Sequence, residues 1–490
     1  MNTILLNPKL LWDYFLSLSQ IPRPSGGEQR AIEWLIGVAE EHNLDYRLDQ
    51  TGNLRISAPA TSGYETRPLI TMQAHVDMVC EKRGDSDHNF ESDPIECYID
   101  EGWLRARGTT LGADCGIGVA AALAALTDPD LAHPPLDALF TLDEERGLSG
   151  AFGLGEGMIR GGYLLNLDSE DEGEIFIGCA GGIDTIADFS YSREVAKGDD
   201  EAKFLKIEFS GALGGHSGDD INKGRANSLK ILARMVAEAI QMGGRLVDIK
   251  AGNLRNAIPR EGWAVISHSQ SKESYNDLLT SLEQLKEGLL RALEGSEPNA
   301  YINIEAISKE ELRATDPLDE STQNRVIGAL SHLINGVIEM SKSIEGLVET
   351  SSNLASIRLR EESIRVVTSQ RSSSLEGRDS AKMQVSEIFS NAGAKVSHSD
   401  GYPGWSPNPD SPLLQVAQSS HARLFGSEAK VRAIHAGLEC GLFLERNPNL
   451  DMISFGPTMR GVHSPDERLD IASTERFYLL LSEILKSIES

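Results

Sequence analysis

The chain alternates short apolar runs with amphipathic stretches. Residues 68–73, 137–142 and 162–167 are compact apolar runs, the pattern of strands buried on both faces of a parallel sheet. Residues 46–49 and 53–57 flank Thr51-Gly52 and predict a hairpin. Residues 8–18 and 28–42 predict two amphipathic helices, broken by Pro22-Arg-Pro-Ser-Gly-Gly. The second carries Ile32, Leu35, Ile36 and Ala39 at helical spacing. Residues 116–126 are Ala-rich and apolar throughout, which predicts a helix inside the fold. Strands alternating with helices make this an α/β unit with a mixed, mostly parallel sheet flanked by helices.

The texture changes after Cys179-Ala-Gly-Gly-Ile. Strand 204–210, helix 227–241, strands 245–250 and 262–267, and helix 275–293 follow in turn. The order then partly repeats: strand 301–306, helix 323–340, strands 354–359 and 363–369, helix 378–392. Two ferredoxin-like α+β units around one extended sheet account for this order, although no sequence repeat links them. From Gly401-Tyr-Pro-Gly-Trp the α/β texture returns, with helix 413–425, strands 430–434 and 452–455, and helix 472–488. The expected division is one domain built from residues 1–184 and 402–490, with residues 185–401 inserted into it.

Length agrees: 490 residues exceed one ordinary core. With 40% hydrophobic and 24% charged residues the composition is that of a globular protein. A net charge of −28 argues against nucleic acid or an anionic membrane as partner. No signal peptide or membrane-spanning run is read, so the expected location is cytoplasmic. Five cysteines without Cys-x-x-Cys spacing (Cys80, Cys97, Cys115, Cys179, Cys440) are expected to be reduced thiols.

The chemistry-bearing residues cluster at the ends of the apolar runs. His75 and Asp77 close Ile-Thr-Met-Gln-Ala-His-Val-Asp, Glu144-Glu145 follow Phe-Thr-Leu-Asp, and Asp168 follows Leu-Leu-Asn-Leu. Asp114 lies in Gly112-Ala-Asp-Cys-Gly-Ile-Gly118, and His463 in Arg-Gly-Val-His-Ser-Pro. Polar groups at the strand ends of such a sheet meet at one rim. Two histidines and several carboxylates there are mixed N/O donors for zinc or a related divalent ion. Alternate residues on a strand face one way, so one of His75 and Asp77 can ligate while the other supports it. Asp114 can bridge two ions, or simply cap the helix that follows. Adjacent carboxylates at a strand end diverge, so one of Glu144 and Glu145 can ligate while the other serves as general base. In the middle region, His216 in Gly-Gly-His-Ser-Gly can stabilise an oxyanion, or be an ordinary loop residue. Asn256 and Arg371 offer amide and guanidinium groups, and Arg371 can clamp a substrate carboxylate or merely pack. Glu439, in His435-Ala-Gly-Leu-Glu-Cys-Gly, can receive a free amino group.

Taken together and in this order, the motifs resemble the co-catalytic zinc exopeptidases, a family that includes carnosinases and bacterial Xaa-His dipeptidases. The resemblance runs over nearly the full length. It implies that Asp114 bridges two Zn2+ (Mn2+ or Co2+ being the alternatives), with His75 and Asp168 on one ion and Glu145 and His463 on the other. It implies Glu144 as general acid/base and Asp77 as support for His75. His216, Asn256, Arg371 and Glu439 would bind substrate, His216 reaching the neighbouring subunit's site in dimeric relatives. Cys115 stands where many broader relatives carry an acid or Asn, a departure that touches only the cis-peptide neighbourhood expected there. The implied protein is a homodimer through an inserted lid domain. It would cleave unblocked dipeptides, Xaa-His preferred, by attack of a metal-bridging water. The alternatives are an N-acyl amino acid amidohydrolase on the same scaffold and a non-catalytic metal-binding protein.

Overall fold

The computed structural model describes residues 6–194, 202–269 and 272–489. Part of the N-terminal stretch read as lacking a signal peptide lies outside them. The chain divides into two compact units. One comprises Met1–Gly178, Trp405–Ala433 and Leu438–Ser490; the other comprises Cys179–Gly404 and Ile434–Gly437.

The first unit is built on an eight-stranded sheet. Its order is Asp45–Leu48, Leu54–Ala58, Leu136–Thr141, Ile70–His75, Tyr163–Asn166, Asp451–Ser454, Glu174–Cys179, Lys430–Ile434. The four central strands run parallel. Antiparallel pairs flank them, including the hairpin expected around Thr51-Gly52. The central strands Ile70–His75 and Leu136–Thr141 are buried at every position, which is why apolar residues stand on both of their faces, with the polar ones paired inside. The helix Ala113–Thr127 packs against the helix Lys9–Leu18 and the strand Ile70–His75. From Cys115 to Leu126 it is buried all round, as its alanine-rich, nearly moment-free sequence requires. Asp470 caps the final helix Ile471–Ser487 by accepting the Ser473 N–H at 2.8 Å, a contact typically worth ~1 kcal/mol.

The second unit carries a nine-stranded antiparallel sheet in the order Tyr301–Ile307, Lys203–Ser210, Gly262–His268, Arg245–Ala251, Val348–Leu359, Ser363–Ser372, Gly181–Ser190, Lys395–His398, with Gly336–Met340 paired to Val348–Leu359. This is two ferredoxin-like units edge to edge, joined where Lys250 faces Arg358 and Ala251 faces Ile357. Their connectivity differs from the reading of residues 301–306 as the start of the repeat. Tyr301–Ile307 closes the first ferredoxin-like unit by pairing with Lys203–Ser210. The second ferredoxin-like unit takes as its first strand Gly181–Ser190, which precedes the whole of the other ferredoxin-like unit in sequence. A further correction concerns helix 323–340. The helix is Glu320–His332, and Gly336–Met340 is a strand. Gly336 takes a left-handed φ of 101°, and the β-branched Val337-Ile338 then join a sheet edge, where their χ1 restriction costs less than in a helix.

Among the described residues no helix is long and apolar enough to cross a membrane. Among the described residues Cys80, Cys97 and Cys115 form no disulfide.

Candidate metal centre

His75 is the last residue of its strand, and only 1% exposed. Its neighbours along the rim arrive from separate elements. Asp114 stands at the irregular start of the helix Ala113–Thr127, where the Asp114–Cys115 peptide is cis, in the neighbourhood where that bond was expected. Asp168 follows the strand Tyr163–Asn166. Glu144 and Glu145 do not end a strand; they open a short helical turn, Glu144–Gly147, after Asp143 turns the chain through a φ of 52°. Their side chains therefore diverge by the helical step rather than by strand alternation. His463 lies on a loop with a φ of 58°.

These groups form two matching halves about one carboxylate. Asp114 Oδ1 lies 3.1 Å from His75 Nε2, and Asp114 Oδ2 lies 3.1 Å from His463 Nε2. Each imidazole nitrogen has a second carboxylate beside it: Asp168 Oδ1 at 3.3 Å from His75, and Glu145 Oε2 at 3.1 Å from His463. One ring nitrogen cannot hydrogen-bond well to two carboxylates at once. A tetrahedral ion with bonds of about 2.0–2.1 Å spaces its N and O donors about 3.3 Å apart, so these separations suit a cation between the donors. Glu145 Oε1 is moreover buried without a hydrogen-bond partner. The local field agrees. Burial alone would lower the proton affinity of His75, yet Asp168, Asp114 and Asp77 together hold it well above its ordinary value. Hydrogen bonds to Asp114 and Glu145 push His463 up to about 11. Burial, then the Asp114 charge, raises Asp168 to about 6, although His75 opposes the rise. Three carboxylates and two imidazoles are thus held where a positive charge is wanted, and the donor set fits two divalent cations.

Asp77 does more than hold a ring. Its Oδ1 lies 3.4 Å from His75 Nδ1 and accepts the Glu144 N–H at 3.0 Å, while Oδ2 accepts the Glu145 N–H at 3.2 Å. Glu28, unremarkable in the sequence, accepts the Gly26 and Asp143 N–H groups at 2.8 and 3.1 Å and so pins the same turn. Burial holds the Glu144 carboxyl well above the usual range; Asp168, Glu439 and Glu145 add to this, and His75 works against it. Glu439 is 1% exposed. Its Oε2 accepts from Gln73 Nε2 at 2.6 Å and Thr141 Oγ1 at 2.8 Å, while Oε1 is buried and unpartnered. Burial pushes its carboxyl up to about 8.

His216, Asn256 and Arg371 belong to the second unit. Gly215–His216 pairs with Ala257–Ile258, and the Ser217 N–H bonds the Asn256 carbonyl at 2.8 Å, which brings His216 beside Asn256. His216 Nδ1 lies 3.3 Å from Asp219 Oδ2, which lowers the Asp219 carboxyl. Arg371, 7% exposed with Nε unpartnered, acts on the same Asp219 and on His435. His435 is part of this group, and its place could not be read from a Gly-flanked loop.

Residues 71–487 match the model of peptidase family M20/M25/M40. The cytosol non-specific dipeptidase of Escherichia coli K12 is 40% identical over 485 residues, 99% of this chain and 98% of that protein. The crystal structure of aminoacylhistidine dipeptidase from Vibrio alginolyticus superposes with a TM-score of 0.91 at 39% identity, covering 100% of this chain and 99% of that one. A Staphylococcus aureus tripeptidase shares the fold, with a TM-score of 0.58 at 16% identity over 99% of both chains. With the fold, the carboxylate-centred donor set and near full-length likeness in agreement, the chain belongs to peptidase family M20/M25/M40 and is a metallopeptidase.

Proposed function

We propose that the protein is a dinuclear dipeptidase that hydrolyses unblocked dipeptides. The observation that carries this reading is the two-fold arrangement about Asp114, each carboxylate oxygen 3.1 Å from a histidine Nε2. His75 and Asp168 would hold one ion, Glu145 and His463 the other, and Asp114 both; zinc suits these donors, with manganese and cobalt as alternatives. Divalent cations bound there would supply Lewis acidity to the scissile carbonyl and to the attacking water. Glu144, on a turn fixed by Asp77 and Glu28, would take the proton of that water and deliver it to the leaving amine. Glu439 leaves one buried oxygen unpartnered, a feature that favours a substrate ammonium over an acyl group and so a peptidase over a deacylase. In the second unit, Arg371 is suited to a substrate carboxylate, with His216 and Asn256 as further polar contacts. That unit, Cys179–Gly404 with Ile434–Gly437, would act as a lid and as the surface of a homodimer.

The names of the two relatives near 40% identity support both a broad dipeptidase and an Xaa-His preference. A panel of dipeptides, β-alanyl-histidine and N-acetyl amino acids, run on metal-stripped and zinc-, manganese- or cobalt-restored protein, separates these outcomes. Cleavage of N-acetyl amino acids in place of dipeptides would overturn the reading. Glu144→Ala is expected to keep its metal and lose about 10²–10⁴-fold in kcat, and normal turnover would remove Glu144 from the mechanism.

A further inference from the structure

Two buried charged side chains grip the backbone around Asp114. Glu467 lies four residues beyond His463 and is 3% exposed. Its carboxylate receives four consecutive N–H groups: Leu111 at 2.7 Å and Gly112 at 3.0 Å on Oε2, Ala113 at 2.8 Å and Asp114 at 3.4 Å on Oε1. The Glu467 N–H bonds the Ser464 carbonyl at 3.1 Å, which keeps this carboxylate on the turn that carries His463. Arg23, 2% exposed, holds the same segment by a carbonyl: Nη2 donates to Gly112 O at 2.5 Å, while Nη1 donates to Val76 O at 2.7 Å and Asp77 O at 3.0 Å. The guanidinium also explains two glycines of the Gly112-Ala-Asp-Cys-Gly116 motif. A Cβ at Gly112 would lie 2.5 Å from Arg23 Nη2, and one at Gly116 2.6 Å from it.

Burying a charge is costly unless hydrogen bonds replace its water. Here both charges spend their hydrogen bonds on the backbone of ligand-bearing segments. Each of the two Asp114–histidine contacts thereby has its own tie. Arg23 links the His75–Asp77 segment to Gly112, and Glu467 links the His463 turn to Leu111–Asp114. We propose that Arg23 and Glu467 are positioning residues that assemble the metal centre before metal arrives, Arg23 setting the distance from Asp114 to His75 and Glu467 that from Asp114 to His463. This rests on the dinuclear reading above.

The test is divalent-ion affinity, measured by zinc competition with a chromophoric chelator and by the absorption of cobalt-substituted protein. Wild type should take two ions. Glu467→Gln, whose carboxamide has only one accepting oxygen, should bind one of them roughly 10- to 100-fold more weakly while keeping native circular dichroism. Arg23→Lys, which keeps the charge but loses the fork, should weaken binding likewise. A natively folded variant of either kind that titrates like wild type overturns the inference. Hydrogen exchange on metal-free wild type decides the matter even where the variants do not fold. Slow exchange of the Leu111–Asp114 amides is expected, and exchange at the rate of unprotected amides overturns it. Failure of wild type to bind two ions would sink the proposed function instead.

Discussion

His435 shows how one side chain's surroundings set a measurable property. Its Nε2 lies 2.7 Å from Ser351 Oγ, it is 6% exposed, and burial, then the Arg371 charge, lowers its pKa from 6.5 to about 3. Asp219 opposes the shift and His216 adds to it. A base whose folded pKa is depressed gives its full stabilisation above its unfolded value and loses it as pH falls toward the folded one. The expected outcome is a loss between about pH 6.5 and pH 3 with a slope approaching ~1.4 kcal/mol per pH unit, absent from His435→Asn. Parallel denaturation curves for the two proteins over that range would refute it. At this scale the sequence was readable where a residue type carries distinctive chemistry. His75, Asp77, Asp114, Glu145, Asp168 and His463 stand at the ends of apolar runs or in glycine-flanked loops, and the structure gathers them. Arg23, Glu28 and Glu467 escaped notice because their partners are backbone groups, which every residue carries and no pattern marks.

Elements were readable where burial is uniform or periodic. The strands Ile70–His75 and Leu136–Thr141 and the helix Ala113–Thr127 fall within a few residues of where hydrophobicity placed them. Residues 336–340 did not, because a glycine turn and pairing with Val348–Leu359 outweigh a continuing helical period. The strand Gly181–Ser190 shows a larger limit. It completes a ferredoxin-like unit whose remaining elements begin well over a hundred residues later, and pairing across such a gap leaves no local sign. Phe189 on that strand meets Phe389 of the helix Leu375–Asn391 edge to face, with ring centroids 6.1 Å apart and both side chains fully buried. Phe389→Ala is therefore expected to destabilise the second unit by about 3–5 kcal/mol in chemical denaturation. A cost below about 1 kcal/mol would mean that the early strand does not share that core.

For the molecule as a whole, the carboxylates around Asp114 are expected to make stability depend on metal. Three acidic side chains crowd two histidines with Glu145 Oε1 left unpartnered, and an ion that binds only the folded chain stabilises it by mass action. Each site is expected to add about 2.7 kcal/mol at a hundredfold excess of free ion over its Kd. A chelator should lower the thermal midpoint and excess zinc should restore it; a midpoint indifferent to both would contradict the metal assignment. By itself the sequence determined the α/β and α+β textures, the elements with strong period or uniform burial, and which residues have the chemistry to bind metal. These follow from local patterning, because side-chain periodicity and donor type are properties of neighbouring residues. Only the tertiary structure decided that one Asp stands between two His, that a strand before one ferredoxin-like unit belongs to the next, and that a buried Arg and Glu tie together the segments that carry Asp114, His75 and His463. Those facts depend on distances between segments far apart in the chain, which packing and backbone hydrogen bonding set and no local pattern encodes.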